Sequence, residues 1–177
     1  AYTFGFGEKQ RDVLVPAFIE AYTNKDPSNF ELTDMFNWLP RPNWTLNYTG
    51  LSKVGNLGEI FSSVRISHGY KSTLTINSFE TDLNYKPPQI NAENVNEATQ
   101  NYFSQYVVPT LGLVEEFSPL IGIDVRTKND INLRFNFNKR RGLQMGFVSY
   151  ELAETRSTSV EAGFNWILRD VKLGFLP

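Results

Sequence analysis

His68 is the only histidine in the chain, and there is no cysteine. A general base or a metal ligand is one reading of His68; a packed or interfacial ring is the other. It shares the strand parity of Val64, Ile66 and Tyr70, which favours the packed ring. Glu115 and Glu116 are adjacent and on a strand would point to opposite faces. They therefore cannot form the paired carboxylates of acid/base work. Lys139-Arg140-Arg141 could grip lipid or sugar phosphates at a membrane rim, although a solvated turn is the commoner role for such a run. Asn43-Trp44-Thr45 and Asn47-Tyr48-Thr49 match the glycosylation sequon, but acceptors on a strand's polar face are poor ones. No nucleophile elbow, phosphate loop or metal-ligand spacing is present. The chain is expected not to be an enzyme and to need no cofactor.

The elements that would position these residues are bounded by composition. At 177 residues, with 41% apolar and 14% aromatic residues, the chain can build a real core and is not expected to be disordered. A net charge of −2 lacks the basic excess of a nucleic-acid binder. The longest apolar run, VLVPAFI, is far short of the roughly 18 residues of a spanning helix. Helical membrane proteins are thereby excluded, whereas β-barrels, whose strands are only half apolar, are not. The chain begins at Ala1 and shows no signal peptide, as expected of a mature or excised piece.

Asp12 reads as a helix N-cap before VLVPAFIEAYT, with Pro16 as the fourth helical residue. Leu14, Val15, Phe18, Ile19 and Tyr22 make its apolar face, which we expect to pack on the protein itself. Residues 1–41 are thus a loop and helix insertion, and Trp44, Leu46 and Tyr48 alternate as a first strand. After a Gly-containing turn, Ile60 to Ile76 alternate as one strand of about 17 residues, well beyond the usual length. Residues 77–105 form a long polar loop, with Thr81 to Tyr85 a possible strand extension.

From Val107 to Val125 the odd positions are mostly apolar, and the register survives Pro109 and Pro119. At about 3.3 Å per residue, that strand would approach roughly 65 Å. Lys128-Asn129-Asp130 turns it into Ile131, Leu133, Phe135 and Phe137, a β-hairpin with one apolar and one polar face. A turn is expected at Lys139 to Gly142, a looser one at 153–157, and a last one at Arg169-Asp170 before Val171, Leu173 and Phe175. The expected fold is all-β: residues 42–177 form an antiparallel meander of about seven strands, with one short helix near the N-terminus. Such a sheet either curls closed as part of something larger or packs as a soluble sandwich.

Several segments, in order along nearly the whole chain, resemble the C-terminal region of the SprA/Sov family. They are DVLVPAFIEAYT, PNWTLNYTGLSK, SHGYKSTLTINSF, EFSPLIGIDVRTKN, FNFNKRRGLQM and ELAETRSTSVEAGFNW. That family is the outer-membrane translocon of the type 9 secretion system, tied also to gliding motility. The resemblance implies that residues 1–177 belong to one giant transmembrane β-barrel domain; the largest such barrels have roughly 36 strands. It further implies a pore in the outer membrane of a Gram-negative bacterium that exports folded cargo bearing a C-terminal signal. The implied partners are the rest of the barrel chain, a PorV-type shuttle barrel, a periplasmic plug protein and outer-membrane lipid. The ending FNWILRDVKLGFLP departs from the family, where a more Tyr/Phe-Lys-rich strand and further strands are expected.

In that setting Ile121, Ile123, Val125, Ile131, Leu133, Phe135 and Phe137 would face lipid. Arg126, Asn132, Arg134 and Asn136 would face the lumen. Trp44, Tyr48, Tyr70 and Trp166 would lie at the membrane interface, and Glu115 beyond the hydrocarbon band. The alternative is a soluble all-β sandwich acting as a binding module, with the same aromatics in its core.

Overall fold

The computed structural model describes residues 4–23, 42–78 and 80–168. It is mostly antiparallel sheet, 57% strand, and no helix among the described residues is long and apolar enough to cross a membrane. The expected all-β class and short N-terminal helix are both present. Five strands form one open sheet in the order β1 (Trp44–Tyr48), β2 (Phe61–Asn77), β7 (Thr110–Thr127), β8 (Ile131–Gly146) and β9 (Glu151–Trp166). Two small ladders lie between β2 and β7. β3 (Glu80–Thr81) pairs with β6 (Tyr106–Val107), and β4 (Val95–Asn96) pairs with β5 (Asn101–Tyr102).

The described sheet is thus five strands, not seven, and it is open, with β1 and β9 as edges. One expected strand, after Arg169-Asp170, lies outside the described residues; one more is lost because two expected turns do not form and a single reversal replaces them. β8 runs unbroken through Lys139-Arg140-Arg141-Gly142, and β9 runs unbroken through 153–157. In β8 the odd parity passes from Phe137 through Lys139 and Arg141 to Leu143 without a slip, so neighbouring-strand pairing continues across the charges. The reversal falls instead at residues 147–150, with Tyr150 in the left-handed region at φ 57°. At the β7–β8 reversal the expected Lys128-Asn129-Asp130 turn is present. Asp130 has φ 57°, a conformation Asp tolerates better than most residues, and the Ile131 amide donates to Thr127 Oγ1 at 3.1 Å. β7 begins at Thr110 rather than Val107, because Tyr106–Val107 turns away to pair with β3. The turn and strand expected after Leu168, and the connection at 28–41, lie outside the described residues.

The chain divides into two compact units, Ala1–Pro42 with Ser72–Val114 and Gly142–Thr155, and Asn43–Lys71 with Glu115–Arg141 and Arg156–Pro177. In the first, helix α1 (Arg11–Thr23) lies on the sheet. Its residues Val15, Phe18 and Ile19 are buried against Val108, Leu111, Leu113, Leu143, Met145 and Phe147, with Leu14, Tyr22, Leu74 and Ile76 packed around them. The spacing of the helical members puts them on one stripe, and the alternation of the strand members puts them on one face. Burying each such side chain contributes about 1.5–3 kcal/mol.

α1 starts earlier than its sequence suggests. The Gln10 carbonyl accepts from the Val13 and Leu14 amides, so Gln10 takes the capping position and Asp12 lies inside the first turn. Pro16 is consequently deeper in the helix, and it carries no N–H for the Asp12 carbonyl. The Asp12 carboxylate accepts from the Gln10 and Gln89 side-chain amides, which ties the helix to the 82–105 segment. That segment is better ordered than a polar loop. Asn94, fully buried, donates to the Gln89 carbonyl at 2.8 Å and accepts from the Lys86 amide at 3.1 Å. Asn91 and Asn96 bond backbone amides two residues ahead, as Asn does in turns.

Candidate functional site

The second unit carries the residues singled out by the sequence. Strand register sets its faces. β1 and β2 pair antiparallel with Trp44 opposite Tyr70, Leu46 opposite His68 and Tyr48 opposite Ile66. Directly opposed residues share a face, so these six lie together. The Tyr70 and Phe117 rings, 4.9 Å apart, bring the odd parity of β7 onto that face. Ile123, Val125, Leu133, Phe135, Ala162 and Phe164 line one shallow apolar depression, which adds β8 and β9.

Of the residues expected to face lipid, Ile121, Leu133 and Phe135 are exposed at 48%, 43% and 40%. Ile123, Val125, Ile131 and Phe137 are half-buried by their strand neighbours. Val160, Phe164 and Trp166 of β9 are more exposed still, and of these only Trp166 is among the residues expected at the membrane interface. Among the described residues no helix covers this face.

The opposite face is polar and largely self-neutralised. Arg134 Nε donates to Asp124 Oδ1 at 2.7 Å, and Arg126 donates to Asp130 Oδ1 at 3.1 Å. Asn138 donates to Ser159 Oγ at 3.2 Å, and Asn136 reaches Glu161 at 3.5 Å. With Ser63, Arg65 and Asn165, the residues Asp124, Arg126, Asn132 and Arg134 line an open cleft. All four expected lumen residues therefore gather on one face. Asp124 and Glu161, which pair with Arg134 and Asn136, and the neighbouring Asn138–Ser159 pair were missed. The available signal was parity, since each lies on the polar register of its strand.

Between the faces in character is an aromatic cluster. Trp44 stacks on Tyr70 at 4.5 Å, and His68 lies 6.3 Å from Trp44 and 5.8 Å from Phe117. His68 Nδ1 donates to the Leu120 carbonyl at 2.7 Å, a structural use of the ring in keeping with its packed reading. Tyr70 is buried, and its hydroxyl donates to Glu115 Oε1 at 2.8 Å. Glu115, the one charge on the apolar parity of β7, is thereby partnered. Trp44, Tyr48 and Trp166 remain exposed.

No protein-family model matches the chain, and no curated protein matches it. What the second unit can do follows from its own surfaces. On the polar face, Arg, Asn and carboxylate side chains pair with one another. Among the described residues no three His, Asp or Glu side chains are grouped to hold a metal. The arrangement separates an apolar surface from a polar one across a single sheet.

Proposed function

We propose that this chain is a wall segment of a large outer-membrane β-barrel, with the apolar parity of the second unit toward lipid and the polar parity toward a wet lumen. The observation that carries the reading is the bare apolar face on strands of 16 to 18 residues. A membrane barrel strand needs about 9–11 residues to cross and alternates apolar-out with polar-in. Five strands are fewer than the eight or so of the smallest membrane barrels, so closure requires further strands of the same barrel chain.

The resemblance to the SprA/Sov family supplies the specific role. It is passage of folded cargo with a C-terminal signal through the outer membrane of a Gram-negative bacterium, in type 9 secretion and gliding motility. A PorV-type shuttle barrel and a periplasmic plug protein are its partners there. The segment itself is passive: paired Arg, Asp, Asn and Glu side chains keep the lumen side hydrated, and no catalytic step is assigned to it.

Detergent phase partition of the full-length chain tests the membrane placement, with recovery in the detergent phase expected. Recovery as a folded species in the aqueous phase would favour the soluble sandwich instead. Parity is tested by a pair of substitutions. Leu133→Arg should impair barrel assembly by about 2–4 kcal/mol at mid-membrane, while Asn136→Arg should be tolerated. Equal tolerance of both in an assembly assay would overturn the assignment of faces.

A further inference from the structure

The run Lys139-Arg140-Arg141 is not a turn, and its place inside β8 gives it a different chemistry. On a strand its members alternate. Lys139 and Arg141 take the parity of Phe137 and Leu143, and Arg140 takes that of Asn138. On β9, Arg156 has the parity of Val160, Phe164 and Trp166. The Asn138–Ser159 and Asn136–Glu161 contacts fix the register of the two strands. Carried on along them, that register sets Arg141 opposite Arg156 and Lys139 opposite Thr158. Three cations therefore stand on the apolar parity of the second unit, at one end of its bare face.

The face they border has no charge of its own. On the outward parity, Phe117 to Val125, Ile131 to Phe137 and Val160 to Trp166 contain none. Phe117 to Val125 measures about 25 Å along the strand, the height of the apolar band of a membrane barrel. At the same end as the cations lies Trp44, an exposed aromatic with one polar atom, suited to a headgroup layer. Two carboxylates share the row's parity: Glu115, which takes the Tyr70 hydroxyl, and Glu154, two residues before Arg156. Three cations against two carboxylates leave the row net positive.

We propose that Lys139, Arg141 and Arg156 form a belt that binds the phosphate of an anionic phospholipid whose acyl chains lie on the apolar face below it. The inference rests on the membrane-wall reading above. Arginine forks suit phosphate oxygens, and lysine supplies a point charge on a stem long enough to lie along apolar surface. An amphiphile with an anionic head and an apolar tail complements both parts of the surface, whereas a free anion uses only one.

The test is native mass spectrometry of the full-length chain in mixed micelles with equal phosphatidylcholine and phosphatidylglycerol. The parent should retain phosphatidylglycerol preferentially. Lys139→Gln should weaken that retention roughly fivefold, the worth of one basic residue near an anionic surface. Arg140→Gln, one residue away on the opposite face, should leave it unchanged. Arg156→Gln provides a second belt variant on another strand, and folded electrophoretic mobility before heating checks each variant. Equal loss from Arg140→Gln, no loss from either belt variant, or displacement by millimolar inorganic phosphate would each overturn the belt. A parent that partitions into water overturns the membrane-wall reading itself, a separate result from failure of the belt in a chain that does enter micelles.

Discussion

The apolar parity of the long strands meets two different fates. In the first unit Leu111, Leu113, Leu143, Met145 and Phe147 are sealed under α1, and Leu111 is 0% exposed. In the second unit Ile121, Leu133 and Phe135, on the same parity of the same two strands, are exposed, and among the described residues no helix covers them. Residue type does not distinguish the two sets; the presence of a helix does. A strand's alternation says which side chains share a face, but whether that face becomes a core or a surface is decided by elements far away in sequence.

That contrast is sharpened most by truncating one aromatic on each side. Phe147→Ala, at 1% exposure, should cost about 3–5 kcal/mol of unfolding free energy, through lost transfer and the cavity left beneath α1. Phe135→Ala leaves no enclosed cavity and should cost less than about half as much. Denaturant titration of the full-length chain reads both, and equal costs would erase the distinction.

A smaller effect is expected where the bare face meets Glu115. Tyr70→Phe keeps the ring on Trp44 but removes the donor to Glu115, for a loss of about 1 kcal/mol. Combined with Glu115→Gln in a double-mutant cycle, the two changes should be non-additive; additivity would mean the bond carries no coupling.

The smallest effect is a pH slope confined to the first unit. Desolvation pushes the Asp12 carboxyl above its ordinary value, against hydrogen bonds from Ser104 and Gln89 and the charge of Arg11. The folded state then holds this proton more tightly than the unfolded chain. This contribution to stability is full below the ordinary carboxylate range, is lost as pH rises through the raised value, and is flat above it. Asp12→Asn should abolish that slope in melting temperature against pH. A slope that persists unchanged would assign it to another group.

Much of the sheet was legible because period two is a strong signal over long runs. The β2 strand, the Lys128 to Asp130 reversal and the α1 stripe all follow from spacing alone. The errors arose where punctuation and parity disagreed. Gly142 after three basic residues looked like a turn, yet the alternation of Phe137, Lys139, Arg141 and Leu143 ran through it. The two-residue ladders β3–β6 and β4–β5 were invisible, since two residues carry no period. In the candidate site, Arg126, Asn132, Arg134 and Asn136 were readable as one column. Their pairing with Asp124, Asp130 and Glu161 needed the register between strands, which only the fold supplies. Burial of Tyr70 likewise depends on β1 and β7 flanking it.

The β9 edge has a practical consequence for handling this span. All 16 of its residues are exposed, and among the described residues it is bonded only to β8. Its outer rim is therefore a row of amide and carbonyl groups ready to zip onto any extended chain at hand. Produced as an isolated piece at working concentrations, the polypeptide should self-associate rim to rim, in a concentration-dependent way and into sheet-rich material. A charged substitution at Val160 or a proline within β9 would act as a gatekeeper and slow that reaction, at some loss of pairing with β8.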